Sequence, residues 1–123
     1  MITFDTYAWV EYLNGTDKGA VVQHYVESDD VIFTPTICLA ELKARLMKEK
    51  RPEKQLKRAM DRVLKRSLLL PLDSEIALKA AEFKNAGLSL ADAVIYASAL
   101  RNATKLLTGD QHFSDYENVE FLG

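Results

Sequence analysis

The sequence predicts an α/β fold, a three-layer α/β/α domain with a mostly parallel central sheet. Three observations point there. Short apolar runs alternate with helical segments along the chain, the order a parallel sheet requires because each strand returns through a crossover helix. The clearest helix places Leu56, Ala59, Met60, Val63 and Leu64 at i, i+3, i+4, i+7 and i+8, one apolar stripe. Apolar residues make up 48% of the 123, and a chain of this length buries roughly two-thirds of its unfolded surface without disulfide or metal support. The expectation is one domain over residues 1–123.

Ile2-Thr3-Phe4 reads as a first strand ending at Asp5, which can cap a helix carrying Ala8, Trp9, Tyr12 and Leu13. Asn14-Gly15 stops that helix, and Asp17 is expected to cap a second one reaching about Glu27. Val31 to Thr34 is the second strand, closed by Pro35, and a helix runs from about Thr36 toward Lys50. Arg51-Pro52 breaks it, since proline cannot continue a helix and drives its predecessor out of the α region. The helix around Leu56 to Leu64 follows, with lysines and arginines on its opposite face, so a basic helical hairpin is expected. Leu68-Leu69-Leu70 is a third strand. Asp73 then caps a helix to about Ala86, with Gly87 beyond its end. Leu88 to Asn102 forms another helix, Lys105-Leu106-Leu107 a strand, and Val119-Glu120-Phe121 the last strand.

Composition excludes several classes. Cys38 is the only cysteine, which rules out a disulfide framework within the chain and suits a reducing cytoplasm. The start, Met1 to Asp5, has no basic segment followed by an apolar one, so no signal peptide is expected. No apolar run approaches the ~18 residues that span a bilayer, so no membrane partner is expected. The net charge of −2 hides an asymmetry: Lys43 to Arg66 holds eleven basic residues against three acids, a net +8, and the rest of the chain carries −10. Such an arm reads either as a solvated helix face or as a surface for phosphate backbone, where Lys and Arg displace condensed counterions.

Four acids stand out against this background. In an open parallel sheet the functional crevice lies beyond the carboxyl ends of the strands. Asp5 ends the first strand, and Asp110 follows the Leu106-Leu107 strand through Thr108-Gly109. Glu41 is the only charge in Ile37 to Leu42, and Asp92 the only one between Leu88 and Leu100. Both segments are apolar all round, the pattern of a buried helix, where an unpaired carboxylate costs several kcal/mol. Each acid taken singly has a plain role: Asp5 and Asp110 as cap or turn residues, Asp92 in a capping box with Ser89, Glu41 neutralised by Arg45. Convergence of all four on one sheet edge would need more. Like charges within ~4–6 Å raise one another's pKa, and a divalent cation relieves the conflict. Hard oxygen ligands without histidine or cysteine suit magnesium or manganese. His24 and His112 lack zinc-site spacing and are expected at the surface or in caps.

These residues, over essentially the whole chain, resemble the PIN-domain ribonucleases of the VapC-type toxin class. The resemblance rests on Ile2-Thr3-Phe4-Asp5-Thr6, on Ala40-Glu41-Leu42, on Leu90-Ala91-Asp92-Ala93-Val94-Ile95-Tyr96-Ala97, and on Leu107-Thr108-Gly109-Asp110-Gln111-His112-Phe113. It implies a PIN-like fold, magnesium-dependent (or manganese-dependent) endonucleolytic cleavage of single-stranded RNA, a homodimer, and a cognate antitoxin that blocks the acidic site. It also implies Asp5 and Asp92 as metal ligands, with Glu41 and Asp110 completing the acidic catalytic site. Thr6 and Thr108 are placed where they can hydrogen-bond those acids or serve as turn and cap residues.

Other readings remain open in the sequence. The same fold can serve as a catalytically silent RNA-binding scaffold or as a housekeeping RNA-processing nuclease. A receiver-type phospho-acceptor domain is also α/β, but it wants an acidic pair after the first strand and a lysine ending a late one; here Asp5 is alone and Lys105 begins its strand. Trp9, Tyr12 and Tyr25 supply aromatic surface either for an interface or for the core.

Overall fold

Strand β1 (Ile2–Phe4) is the middle of a five-stranded sheet in which every neighbouring pair is parallel. The chain, a computed structural model describing residues 1–123, continues through α1 (Thr6–Asn14), α2 (Asp17–Glu27), β2 (Ile32–Pro35), α3 (Thr36–Lys48) and α4 (Glu53–Arg66). It then forms β3 (Leu68–Leu70), α5 (Ser74–Asn85), α6 (Leu90–Arg101), β4 (Lys105–Thr108), a 3₁₀ turn (Gln111–Phe113) and β5 (Val119–Phe121). The strand order is β3-β2-β1-β4-β5. Ile2 lies opposite both Ile32 and Lys105, and Phe4 opposite Leu107. The chain builds outward from β1 in one direction and then returns to β1's other side, so the topological switch falls between β1 and β4. This order differs from that of receiver domains, and Lys105 opens β4 at the edge remote from Asp5, which removes the phospho-acceptor reading.

Alternation along the strands divides the interior in two. Ile2, Phe4, Ile32 and Leu107 join Trp9, Val22, Leu42 and Val63 in one core. Leu106 joins Ile76, Ala80, Ile95 and Phe113 in the other. Helix α3 contributes to both, Leu42 and Leu46 to the first and Cys38 to the second. The expected three layers are present. Trp9 is fully buried, 4.9 Å from Phe4 between ring centroids, and its indole N–H donates to Thr34 Oγ1 at 3.0 Å. That placement makes it core, with its one polar atom satisfied, and takes it out of any interface.

The element boundaries follow the sequence with small, explicable shifts. Thr16, one residue before the expected Asp17, caps α2 by accepting the Gly19 N–H at 3.0 Å. Pro35 falls inside β2 as its last residue, and α3 stops at Lys48, with Lys50 at positive φ beyond it. Helix α6 begins at Leu90 because Ser89 caps it. Gly19 is required by a close approach: a Cβ there would stand 2.1 Å from the Glu11 carbonyl oxygen, so a side chain would force α1 and α2 apart.

Part of the basic hairpin is structural. Arg66 donates to four backbone carbonyls at the end of α2 and in the loop after it: Val26 at 2.6 Å, Asp30 at 2.9 Å, Tyr25 at 3.0 Å and Ser28 at 3.1 Å. A cation there satisfies carbonyls that the helix end leaves orphaned. Arg62 meets the Tyr12 hydroxyl at 2.8 Å, and Arg51 meets Glu49 at 3.1 Å. Arg66→Ala is expected to lower unfolding stability by about 2–3 kcal/mol, measured by urea denaturation, while substitution of the exposed Lys57 changes it little.

Candidate functional site

The four acids meet. Asp5, Glu41, Asp92 and Asp110 line one cleft of about 170 Å³ together with Thr6, Tyr7, Val10, Arg45 and Ile95. The topology explains the meeting. Asp5 directly follows β1 and Asp110 follows β4, on the two sides of the switch point. Glu41 lies in the second turn of α3, which leaves the end of β2. Asp92 lies in the first turn of α6, which runs back to feed β4, so its N-terminal end returns to the same edge. The first turns of α1 and α6 therefore both open on the cleft, and their partial positive charge favours carboxylates there.

The cap and site roles turn out to coincide. Asp5 is the N-cap of α1, its Oδ1 accepting the Ala8 N–H at 2.8 Å. Ser89 Oγ accepts the Asp92 N–H at 3.2 Å, half of the expected capping box. Asp110 caps the 3₁₀ turn by accepting the His112 N–H at 2.9 Å, and its own N–H donates to Thr108 Oγ1 at 3.0 Å. The Asp5 and Asp110 caps fix those two carboxylates' directions and leave further lone pairs to face the cleft, while the Ser89 cap fixes the turn that carries Asp92.

Glu41 corrects the sequence reading in two ways. It is half-buried, and its neighbour Ala40 is exposed, so α3 is not enclosed on all sides. Its partner is the Thr6 hydroxyl, which donates to Oε1 at 2.7 Å. Arg45 reaches the cleft but its Nε faces Glu49, at 3.4 Å. Helix α6 matches expectation, with Ala93 to Ala99 buried without a break. Gly109 has a local reason: a Cβ would come within 2.4 Å of the Tyr7 ring, which packs against the turn carrying Asp110.

Burial and mutual repulsion load this cleft with charge that it holds at a cost. Asp5 is 3% exposed, and desolvation pushes its carboxyl up to about 7, with Asp110 and Asp92 adding to the rise and the Thr108 hydroxyl and Ala8 N–H opposing it. Asp92 is raised by desolvation and then by Asp110. Acids held in this way fit a divalent cation: the donor set is all oxygen apart from the nearby imidazole of His112, and a cation reverses the penalty that raises both groups. The small volume suits a hydrated ion and a phosphate. A groove of about 730 Å³ lies elsewhere, between α1, α2, α3 and α4, lined by residues such as Tyr12, Gln23, Leu46, Arg58 and Arg62.

Sequence reasoning missed Tyr7 and Ile95 at the cleft, and it missed the contact of His112 with Asp110. Only the last had a signal, a histidine two residues beyond an acid in a turn. His24 is exposed on α2, as expected.

Solved structures share this architecture. A toxin–antitoxin complex from Klebsiella pneumoniae superposes with a TM-score of 0.79 at 18% identity, covering 100% of this chain and 98% of that one. VapBC2 from Rickettsia felis, bound to a DNA fragment from its promoter, gives 0.78 at 20% identity over 98% and 97%. VapC20 from Mycobacterium tuberculosis, a Sarcin-Ricin loop cleaving toxin, gives 0.78 at 17% over 95% of each chain. No curated protein sequence matches. The sequence model of the PIN domain matches residues 2–119. With that match over almost its whole length, and with the fold these structures share, the chain belongs to the PIN domain family.

Proposed function

We propose that this chain is a metal-dependent endoribonuclease that hydrolyses phosphodiester bonds of single-stranded RNA, and that it is the toxin of a toxin–antitoxin pair. The observation that carries the reading is the gathering of Asp5, Glu41, Asp92 and Asp110 in one cleft at the sheet's switch point. The toxin assignment and the antitoxin partner draw support from neighbours described as toxin–antitoxin complexes, and the RNA substrate from the one described as cleaving the Sarcin-Ricin loop.

In this reading Asp5 and Asp92 hold magnesium or manganese, and Glu41 and Asp110 complete the set. A divalent ion bound there would acidify water and neutralise phosphate charge. The chain's own residues do the positioning. Thr6 holds Glu41, the Ala8 N–H holds Asp5, and Ser89 holds the first turn that carries Asp92. An acidic cleft repels RNA by itself, so the exposed cations of the basic hairpin, Lys43, Lys48, Lys54, Lys57 and Arg58, carry the backbone attraction. Arg45 is the one basic residue that lines the cleft itself. The reading includes a homodimer, for which exposed Leu78 and Leu90 supply apolar surface, and a cytoplasmic site of action.

The test is incubation with a labelled single-stranded RNA in Mg²⁺, in Mn²⁺ and in chelator. Cleavage in the metals, reduced at least ~10²-fold in chelator, is expected. RNA bound but intact under all three conditions would favour a silent scaffold on the same fold.

A further inference from the structure

The cleft has a neighbour that none of the four acids accounts for. The 3₁₀ turn folds the His112 side chain back onto its own cap, so that Nδ1 stands 2.8 Å from Asp110 Oδ1. One ring nitrogen of His112 and one carboxylate oxygen from each of Asp92 and Asp110 all lie within 4.8 Å of one another. The His112 side chain is 77% exposed, so a surface ion pair is the plain alternative, and such pairs contribute little. The geometry fits something more specific. Adjacent ligands on an octahedral ion with bonds of ~2.1 Å lie ~3 Å apart, and opposite ligands ~4.2 Å apart. The Nδ1–Oδ1 separation is close to an edge of that figure.

Resting on the nuclease reading above, we infer that His112 gives the cation site a nitrogen ligand beside Asp92 and Asp110, and so biases it toward Mn²⁺ over Mg²⁺. Magnesium is hard, keeps its waters and takes oxygen ligands almost without exception. Manganese accepts imidazole as well as carboxylate. Replacing one oxygen by nitrogen therefore costs Mg²⁺ affinity while leaving Mn²⁺ well held. Asp5 and Glu41, on the other elements lining the cleft, keep the rest of the site oxygen-based.

The test is pulsed electron paramagnetic resonance on the full chain titrated with Mn²⁺, paired with calorimetry of Mn²⁺ and Mg²⁺ separately. The wild type should show ¹⁴N coupling to the bound Mn²⁺. His112→Ala and His112→Asp should both lose it, and because His112 is exposed neither change disturbs the core. His112→Asp, which restores an all-oxygen set, should lower the ratio of Mn²⁺ to Mg²⁺ affinity about tenfold. Mn²⁺ that binds in the cleft without nitrogen coupling, or a ratio unchanged in His112→Asp, overturns the role of His112 and leaves the four-carboxylate site standing. A chain that binds no Mn²⁺ at all overturns both.

Discussion

Asp5→Asn is expected to abolish RNA cleavage and to make the protein more stable. The two effects have one cause. The Asp5 carboxyl is almost wholly buried and is pushed up to about 7, first by desolvation. The folded state therefore keeps its proton between about pH 4 and pH 7, where the unfolded chain has released it. Stability associated with this group is present at low pH and is lost as pH rises through 7. At pH 8 the native protein carries a buried charge that asparagine does not. A shift of this size corresponds to about 4 kcal/mol, or roughly a 15 °C gain in melting temperature for a chain of this length. Asparagine keeps the acceptor for the Ala8 N–H, so the α1 cap survives. The loss of cleavage should be at least ~10²-fold, the scale of removing one preorganised electrostatic contact. A gain of stability with loss of activity is the signature of a residue kept for function at a cost to the fold. A variant that melts lower and cleaves poorly would instead mark Asp5 as a structural cap.

Mn²⁺ should stabilise the protein strongly at pH 8 and weakly at pH 5.5. A cation that uses the Asp5 carboxylate must displace its proton below pH 7, so apparent affinity falls about tenfold per pH unit there. Between pH 7 and pH 5.5 the loss is roughly 30-fold by the same relation. At a free concentration ~100 times the dissociation constant, binding adds about 2.7 kcal/mol to unfolding stability. Thermal melts with and without Mn²⁺ at the two pH values read this directly. Asp92→Asn should reduce the pH 8 shift, and Asp5→Asn should weaken its pH dependence.

The fold was legible in the sequence where local chemistry is decisive. Strand–helix alternation and the breaks at Gly15, Pro52 and Gly87 located every strand and six helices. The strand order was not legible, because which side of β1 receives β4 is decided by crossover packing, not by any short motif. The site was legible because its acids are out of place for their segments, and the same residues doubled as caps without contradiction. Partners were harder. Arg45 stands one turn from Glu41 and looked like its counterion, yet Thr6, thirty-five residues earlier, takes that place because α1 and α3 both start at the same sheet edge. The basic hairpin showed its charge but not its division of labour. Arg66 is drawn inward by the orphan carbonyls at the end of α2, and nothing in its sequence neighbourhood signals them.

The account stands on one cation shared by acids from four separate segments. Anomalous diffraction from crystals grown at pH 8 with Mn²⁺ tests this most directly. The expected result is a peak in the cleft, within bonding distance of Asp5 and Asp92 and beside Glu41 and Asp110. Full occupancy of Mn²⁺ elsewhere with none in the cleft would contradict it.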